Sequence, residues 1–291
     1  LRVGTCWLCG QKANLHSSHV IPKFVFRWLI NTGGTPFLRA GANPNKRVQD
    51  GDRHYLYCSE CETTLSTWEQ KAKKRLFDAA TGSGEIPAKY GSWLSRFACS
   101  LALRTVQSQL YRGIENKYDP SSLDLLFKAE RSWKQFLTGS SKHPGEYSQY
   151  FLHLGYFDGF NDPSLPSNWN TWVKRSVERD TIYTPSGSFL ATYVKLGPII
   201  FFGKIRDDKQ ILGKSFVRCS EGEFPLPDTL LNSATWSLFK DRASSAQKIL
   251  SAMSEKQKQL VGRQIFKDPE KFLNSGLAEA LLQDFEKFGG S

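Results

Sequence analysis

The sequence predicts an α+β protein: a small zinc module over residues 1–80 and a larger mixed domain over 81–291. Two identical cysteine spacings, Cys6-x-x-Cys9 and Cys58-x-x-Cys61, bracket the first segment. Long runs of helical period follow them, then short runs of strand composition, then helical patterns again. Two thiolate knuckles can close a tetrahedral zinc shell, which pins the intervening chain as a loop. Such a site has no open coordination position, so its zinc stabilises the fold rather than catalysing.

The elements follow in order. Val20–Ile30 (VIPKFVFRWLI) reads as an apolar turn and a short helix, stopped by Gly33-Gly34-Thr35-Pro36. Gly41–Asn45 reads as loop. Beyond the second knuckle Leu65, Trp68, Ala72 and Leu76 fall at helical spacing, and Thr81–Gly84 reads as a linker. Ser92–Arg112 carries Trp93, Phe97, Leu101, Leu103, Val106 and Leu110 almost all round, which predicts a helix buried at the centre of a core. Ser121–Phe136 is a further helix. Tyr150–Leu154 reads as a strand, and Leu190–Ile205 as a hairpin turning at Leu196-Gly197-Pro198. Helices are expected over Leu230–Met253, Ser254–Val261 and Asp268–Phe288.

The chain has 291 residues and a formal charge of +11, unevenly placed. Residues 1–75 hold twelve Lys/Arg against five Asp/Glu, a net +7. A basic field of that density favours a polyanion, and nucleic acid is the default partner. No apolar run is long enough for a membrane span, and the first residues form no signal-peptide core, so no membrane partner and a cytoplasmic location are expected. Cys99 and Cys219 read as ordinary core thiols.

Cys6-x-x-Cys9, then Ser18-His19-Val20-Ile21-Pro22, then Leu56-Tyr57-Cys58-Ser59-Glu60-Cys61-Glu62 opening a helix, is similar to the HNH (His-Me finger) nuclease superfamily. The likeness is to its bacterial group with an SHIIPKF…LCxxCE pattern, and it covers about the first 75 residues. It implies a treble-clef, ββα-metal module, a structural Zn²⁺ and a catalytic Mg²⁺ or Mn²⁺. It also implies hydrolysis of phosphodiester bonds, with DNA ahead of RNA as substrate and phage defence as the setting. His19 matches the general base, a task suited to an imidazole titrating near neutral pH. Glu62 stands where the family holds its divalent ion, and a carboxylate is a hard ligand for that ion.

The family's other ligand positions carry Ser18 and Arg53 here. Glu69, on one helical face with Glu62, Ser66 and Lys73, and His54 are the further candidates for the ion. Three roles are open to residues 81–291: substrate binding, oligomerisation as a homo-oligomer, or regulation with a partner. Arg96 and Arg104, on the buried helix, need partners, in phosphate or in an internal ion pair. Two other readings compete with the nuclease. One is a zinc finger that binds nucleic acid without catalysis; the other places the activity after residue 80. That region shows no nucleophile elbow, phosphate-cradling glycine loop or paired-carboxylate motif.

Overall fold

The computed structural model describes residues 2–41, 43–82, 84–113, 117–157, 162–213, 216–224 and 233–289. It opens with β1 (Arg2–Thr5) and β2 (Lys12–His19), joined through the first knuckle. Then come α1 (Lys23–Asn31), a hairpin of β3 (Leu38–Ala40) and β4 (Asn43–Val48), and β5 (Arg53–Tyr57). The second knuckle opens α2 (Ser59–Ala72), which runs through a π-helical turn at Lys73–Phe77 into α3 (Asp78–Thr81). Strands β1, β2 and β5 form one antiparallel sheet in that order.

Next are β6 (Lys89–Tyr90), α4 (Trp93–Tyr111), α5 (Pro120–Leu137) and β7 (Gln149–His153). They are followed by α6 (Trp169–Arg175), β8 (Val177–Tyr183), β9 (Phe189–Leu196), β10 (Ile199–Asp207) and β11 (Gly222–Glu223). Strands β7, β10, β9 and β8 form a four-stranded antiparallel sheet in that order, and β11 pairs with β6. The chain closes with α7 (Ser233–Ser251), α8 (Glu255–Lys267), α9 (Pro269–Leu273) and α10 (Gly276–Phe288). No described helix is long and apolar enough to cross a membrane.

The all-round apolar segment is α4, and every residue from Trp93 to Gln109 except Arg96 is buried. A helix can bury its whole circumference only if its polar groups are satisfied internally. Here Ser100, Thr105 and Ser108 donate their hydroxyls back to carbonyls one turn earlier, at Phe97, Leu101 and Thr105. One face of α4 meets α2 and the knuckles, while the others meet α5 and the sheet. Leu15, Leu56, Tyr57 and Leu65 therefore share a hydrophobic cluster with Leu103, Val106, Trp133, Phe136 and Ile205. Ala80 packs against a second cluster, in which Ile21 and Val25 join Phe97 and Leu101.

The β9–β10 hairpin forms as the sequence predicts, and Gly197 in its turn has φ +60°. Other elements differ from expectation. The helix expected over Asp268–Phe288 breaks at Asn274, where the Ser275 side chain caps α10 by accepting the Ala278 N–H. The helix expected to stop at Val261 continues to Lys267. Strand β8 (VERDTIY) escapes sequence reading because its charged positions are only half-buried, and Arg179 and Asp180 make ion pairs with distant residues. Residues 230–232, expected to start a helix, lie outside the described residues, as does Ser83 of the expected linker.

Candidate metal centre and adjoining polar site

The first knuckle is a tight turn: the Gly10 N–H reaches the Cys6 carbonyl at 2.9 Å, with Gly10 at φ +79°. The Cys6 N–H donates to Gln11 at 2.8 Å. The second knuckle starts at the helix end itself, since Cys58 is the N-cap of α2 and Cys61 lies in its first turn. The Trp7 N–H bonds the Leu56 carbonyl at 2.9 Å, which locks the knuckles in register. All four sulfurs lie within 4.8 Å of one another, and Cys9 Sγ and Cys58 Sγ are 3.9 Å apart. A tetrahedral zinc with Zn–S near 2.3 Å requires sulfurs about 3.8 Å apart, so the four thiols fit that ion with sub-ångström closure. Burial raises the Cys6 thiol, but the backbone N–H groups of Cys9, Cys58 and Leu8 outweigh it and bring the group down to about 7. Those donors favour a thiolate, the form that binds metal.

The neighbouring site comes from the antiparallel register of β2 and β5, in which Ser18 faces His54 and His19 faces Arg53. Alternation sends Ser18 and His19 to opposite sides of the strand. The Ser18 hydroxyl turns to α2 and donates to the Glu62 carboxylate. His19 Nε2 lies 3.0 Å from Asp50 Oδ2, and its side chain is only 13% exposed. Asp50 in turn lies 3.6 Å from Arg53. Among the described residues Asp50 is the one hydrogen-bond partner of the His19 ring, which leaves Nδ1 without a hydrogen bond there. The His19 carbonyl accepts from Arg104 Nη1 at 3.1 Å.

Arg104 anchors this corner from within α4. Its side chain is 4% exposed and sits 2.7 Å from Glu69 Oε1. It also donates to the Ser100 carbonyl at 3.2 Å and the Ser100 hydroxyl at 3.1 Å. Burial lowers its affinity for a proton, yet Glu69, Tyr57 and Glu62 outweigh burial and keep it firmly charged. The internal ion pair is therefore the partner that the buried charge required. Arg96 lies instead over the rings of Phe136 and Trp68 and donates to the Phe136 carbonyl at 3.2 Å.

His54 lies opposite Ser18 across the strand pair, but its ring turns to another neighbour. Its ring packs on Tyr111 with centroids 4.7 Å apart, and burial followed by the Arg112 charge lowers its pKa. Beside it Asp52 is held by Arg112 at 2.5 Å and Arg179 at 2.6 Å. Burial alone would raise the Asp52 carboxyl; the two guanidiniums overcome that and lower it. Tyr57 donates to Gln107 at 2.6 Å, and Gln107 passes hydrogen bonds to Glu130 and the Trp7 carbonyl.

The structure thus brings Cys6, Cys9, Cys58 and Cys61 together, and sets Glu62 against Ser18, the residue before His19 in β2. Glu69 is turned to Arg104 and His54 to Tyr111. Asp50 is the residue that sequence reasoning missed. Its only sequence signal is its position three residues before Arg53, and that becomes informative only once Arg53 is known to pair with His19. No family profile, curated protein or solved structure matches the chain.

Proposed function

We propose that the chain is a metal-dependent endonuclease of HNH type that hydrolyses phosphodiester bonds in DNA, with phage defence as its setting. The observation that carries this reading is the Ser18–Glu62 contact, one residue along β2 from a half-buried histidine that has a carboxylate partner. Asp50 fixes the ring orientation of His19 through Nε2 and stabilises the imidazolium that forms on proton uptake. Nδ1 is then the atom that takes a proton from the attacking water.

Glu62 and the Ser18 hydroxyl offer two hard oxygens on one side. That suits Mg²⁺ or Mn²⁺, which commonly take one or two protein oxygens and complete their shell with water and substrate phosphate. A bound ion would supply charge stabilisation at the phosphate. Arg104 holds the end of β2 through the His19 carbonyl, which keeps His19 and Ser18 in place. A zinc held by the four thiolates would tie the start of α2 to the first knuckle, and so fix Glu62 relative to β2. Residues 81–291, through α4, provide the other wall of the module and are open to substrate binding, oligomerisation or regulation.

The second reading is a zinc finger that binds nucleic acid without cutting it. The pairing of Glu69 with Arg104 favours it, because of the two carboxylates on that face of α2 it leaves Glu62 alone for an ion. Plasmid cleavage in EDTA, Mg²⁺, Mn²⁺ or Ni²⁺, with wild type against His19→Ala, separates the two. Metal-dependent nicking lost in His19→Ala, with zinc content unchanged, supports the nuclease. Binding without cleavage in any metal refutes it in favour of the second reading.

A further inference from the structure

The β3–β4 hairpin, inserted between His19 and the second knuckle, has a charge arrangement that the fold does not explain. Arg39 and Arg47 are direct cross-strand partners. Like charges placed directly opposite on a hairpin destabilise it. Both guanidiniums converge on one ring: the Arg47 carbon is 3.9 Å and the Arg39 carbon 5.6 Å from the Phe37 centroid. No carboxylate pairs with either among the described residues. Arg39 donates through Nη1 to the Pro44 carbonyl and to Gln257, while its Nη2 has no hydrogen-bond partner among the described residues. Burial, followed by the Arg47 charge, lowers the Arg39 pKa, as expected where a counter-charge is missing.

The hairpin is held firmly enough to present these groups. Asn45 accepts the Ser254 N–H at 2.9 Å and Arg39 reaches Gln257 at 3.1 Å, so the start of α8 braces it. Its second strand runs straight on to Asp50, the partner of His19. Lys46 and Arg47 are exposed on that strand, as are Lys23 and Arg27 one turn apart on α1. Arginine stacked on an aromatic ring keeps its planar fork free for an oxyanion.

We propose that Arg39 and Arg47, set against each other on Phe37, form a binding site for one backbone phosphate of a nucleic acid and lead the strand towards His19. The choice of nucleic acid as the phosphate's source rests on the nuclease reading above. The missing counter-charge stands without that reading.

The test is binding of a short labelled DNA duplex by the full chain, measured from about 50 to 200 mM salt. Wild type is compared with Arg47→Ala, Arg47→Lys and the charge-matched control Lys142→Ala, which alters the loop after α5. The expected result is about tenfold weaker binding by Arg47→Ala, with the salt slope reduced by roughly one. Arg47→Lys should recover part of the loss and Lys142→Ala should bind as wild type. Without DNA, Arg47→Ala should melt no lower than wild type, since it relieves a like-charge pair. Equal affinity and slope for Arg47→Ala, or an equal loss in Lys142→Ala, would overturn the proposal. Inorganic phosphate provides a second arm. If it raises the wild-type melting temperature through Arg47 while duplex binding ignores Arg47, the nucleic-acid occupant is wrong. Cleavage in Mn²⁺ is read on the same samples. A protein that binds through Arg47 yet never cuts refutes the nuclease and keeps this site; one that cuts and binds without Arg47 does the reverse.

Discussion

Replacing Glu69 by glutamine removes the carboxylate that pairs with Arg104 at 2.7 Å, and leaves a guanidinium whose side chain is 4% exposed. Breaking a buried ion pair from one side costs about 3–5 kcal/mol, because the surviving charge stays desolvated. Two features reduce that here. Glu69 is 22% exposed, so water can enter from its side, and Arg104 keeps three other acceptors in Ser100 and the His19 carbonyl. The expected loss is about 2–3 kcal/mol. With an unfolding entropy of about 2.1 cal/mol/K per residue, that lowers the melting temperature of a 291-residue chain by about 3–5 °C. Thermal melting of Glu69→Gln, Arg104→Met and the double variant measures it. The double variant should be more stable than Glu69→Gln alone, since no orphaned charge remains. A Glu69→Gln protein that melts like wild type, and a double variant no better than it, would refute the buried-pair argument. If the same variant kept its stability but lost metal-dependent cleavage, Glu69 would be an ion ligand instead.

Three further outcomes are expected. Purified protein should contain one tightly held zinc per chain, and Cys58→Ser or Cys61→Ser should abolish it with a large drop in melting temperature, read by metal analysis and calorimetry. Retention of zinc by either variant would contradict the four-thiolate site. Tyr57→Phe removes the hydroxyl bonded to Gln107 and should cost about 1–2 kcal/mol in urea denaturation, because a buried amide acceptor is left unpaired. Burial drives His153 down from the ordinary histidine value of 6.5 to about 4, against a backbone hydrogen bond at Ala80. The unfolded chain therefore binds the proton first as pH falls. Stability should decline between about pH 6.5 and 4 by on the order of 2–3 kcal/mol. His153→Gln should flatten that decline, and an unchanged acid limb would count against it.

The knuckles, the central helix and the β9–β10 hairpin were legible in the sequence because each has a local cause. Paired C-x-x-C spacing, an apolar circumference and a glycine in a turn all act within a few residues. Strand β8 and the break at Ser275 were not legible. A strand built from Glu178, Arg179 and Asp180 is stabilised by distant partners, and a cap residue inside an amphipathic run is decided by packing at its two ends.

The same division runs through the site. By itself the sequence determined which chemistry is present: four thiols at metal spacing, a histidine before Ile21-Pro22 and a carboxylate after the last cysteine. Only the tertiary structure decided which groups are left for use. Glu62 and Glu69 share one helical face, yet Ser18 meets the first and Arg104 holds the second. Asp50 gained its place beside His19 only when β5 paired with β2. Spacing along one helix or within one knuckle is a local property of the chain. The choice of partner for a charge is not local, because it depends on which other element, distant in sequence, is folded against it.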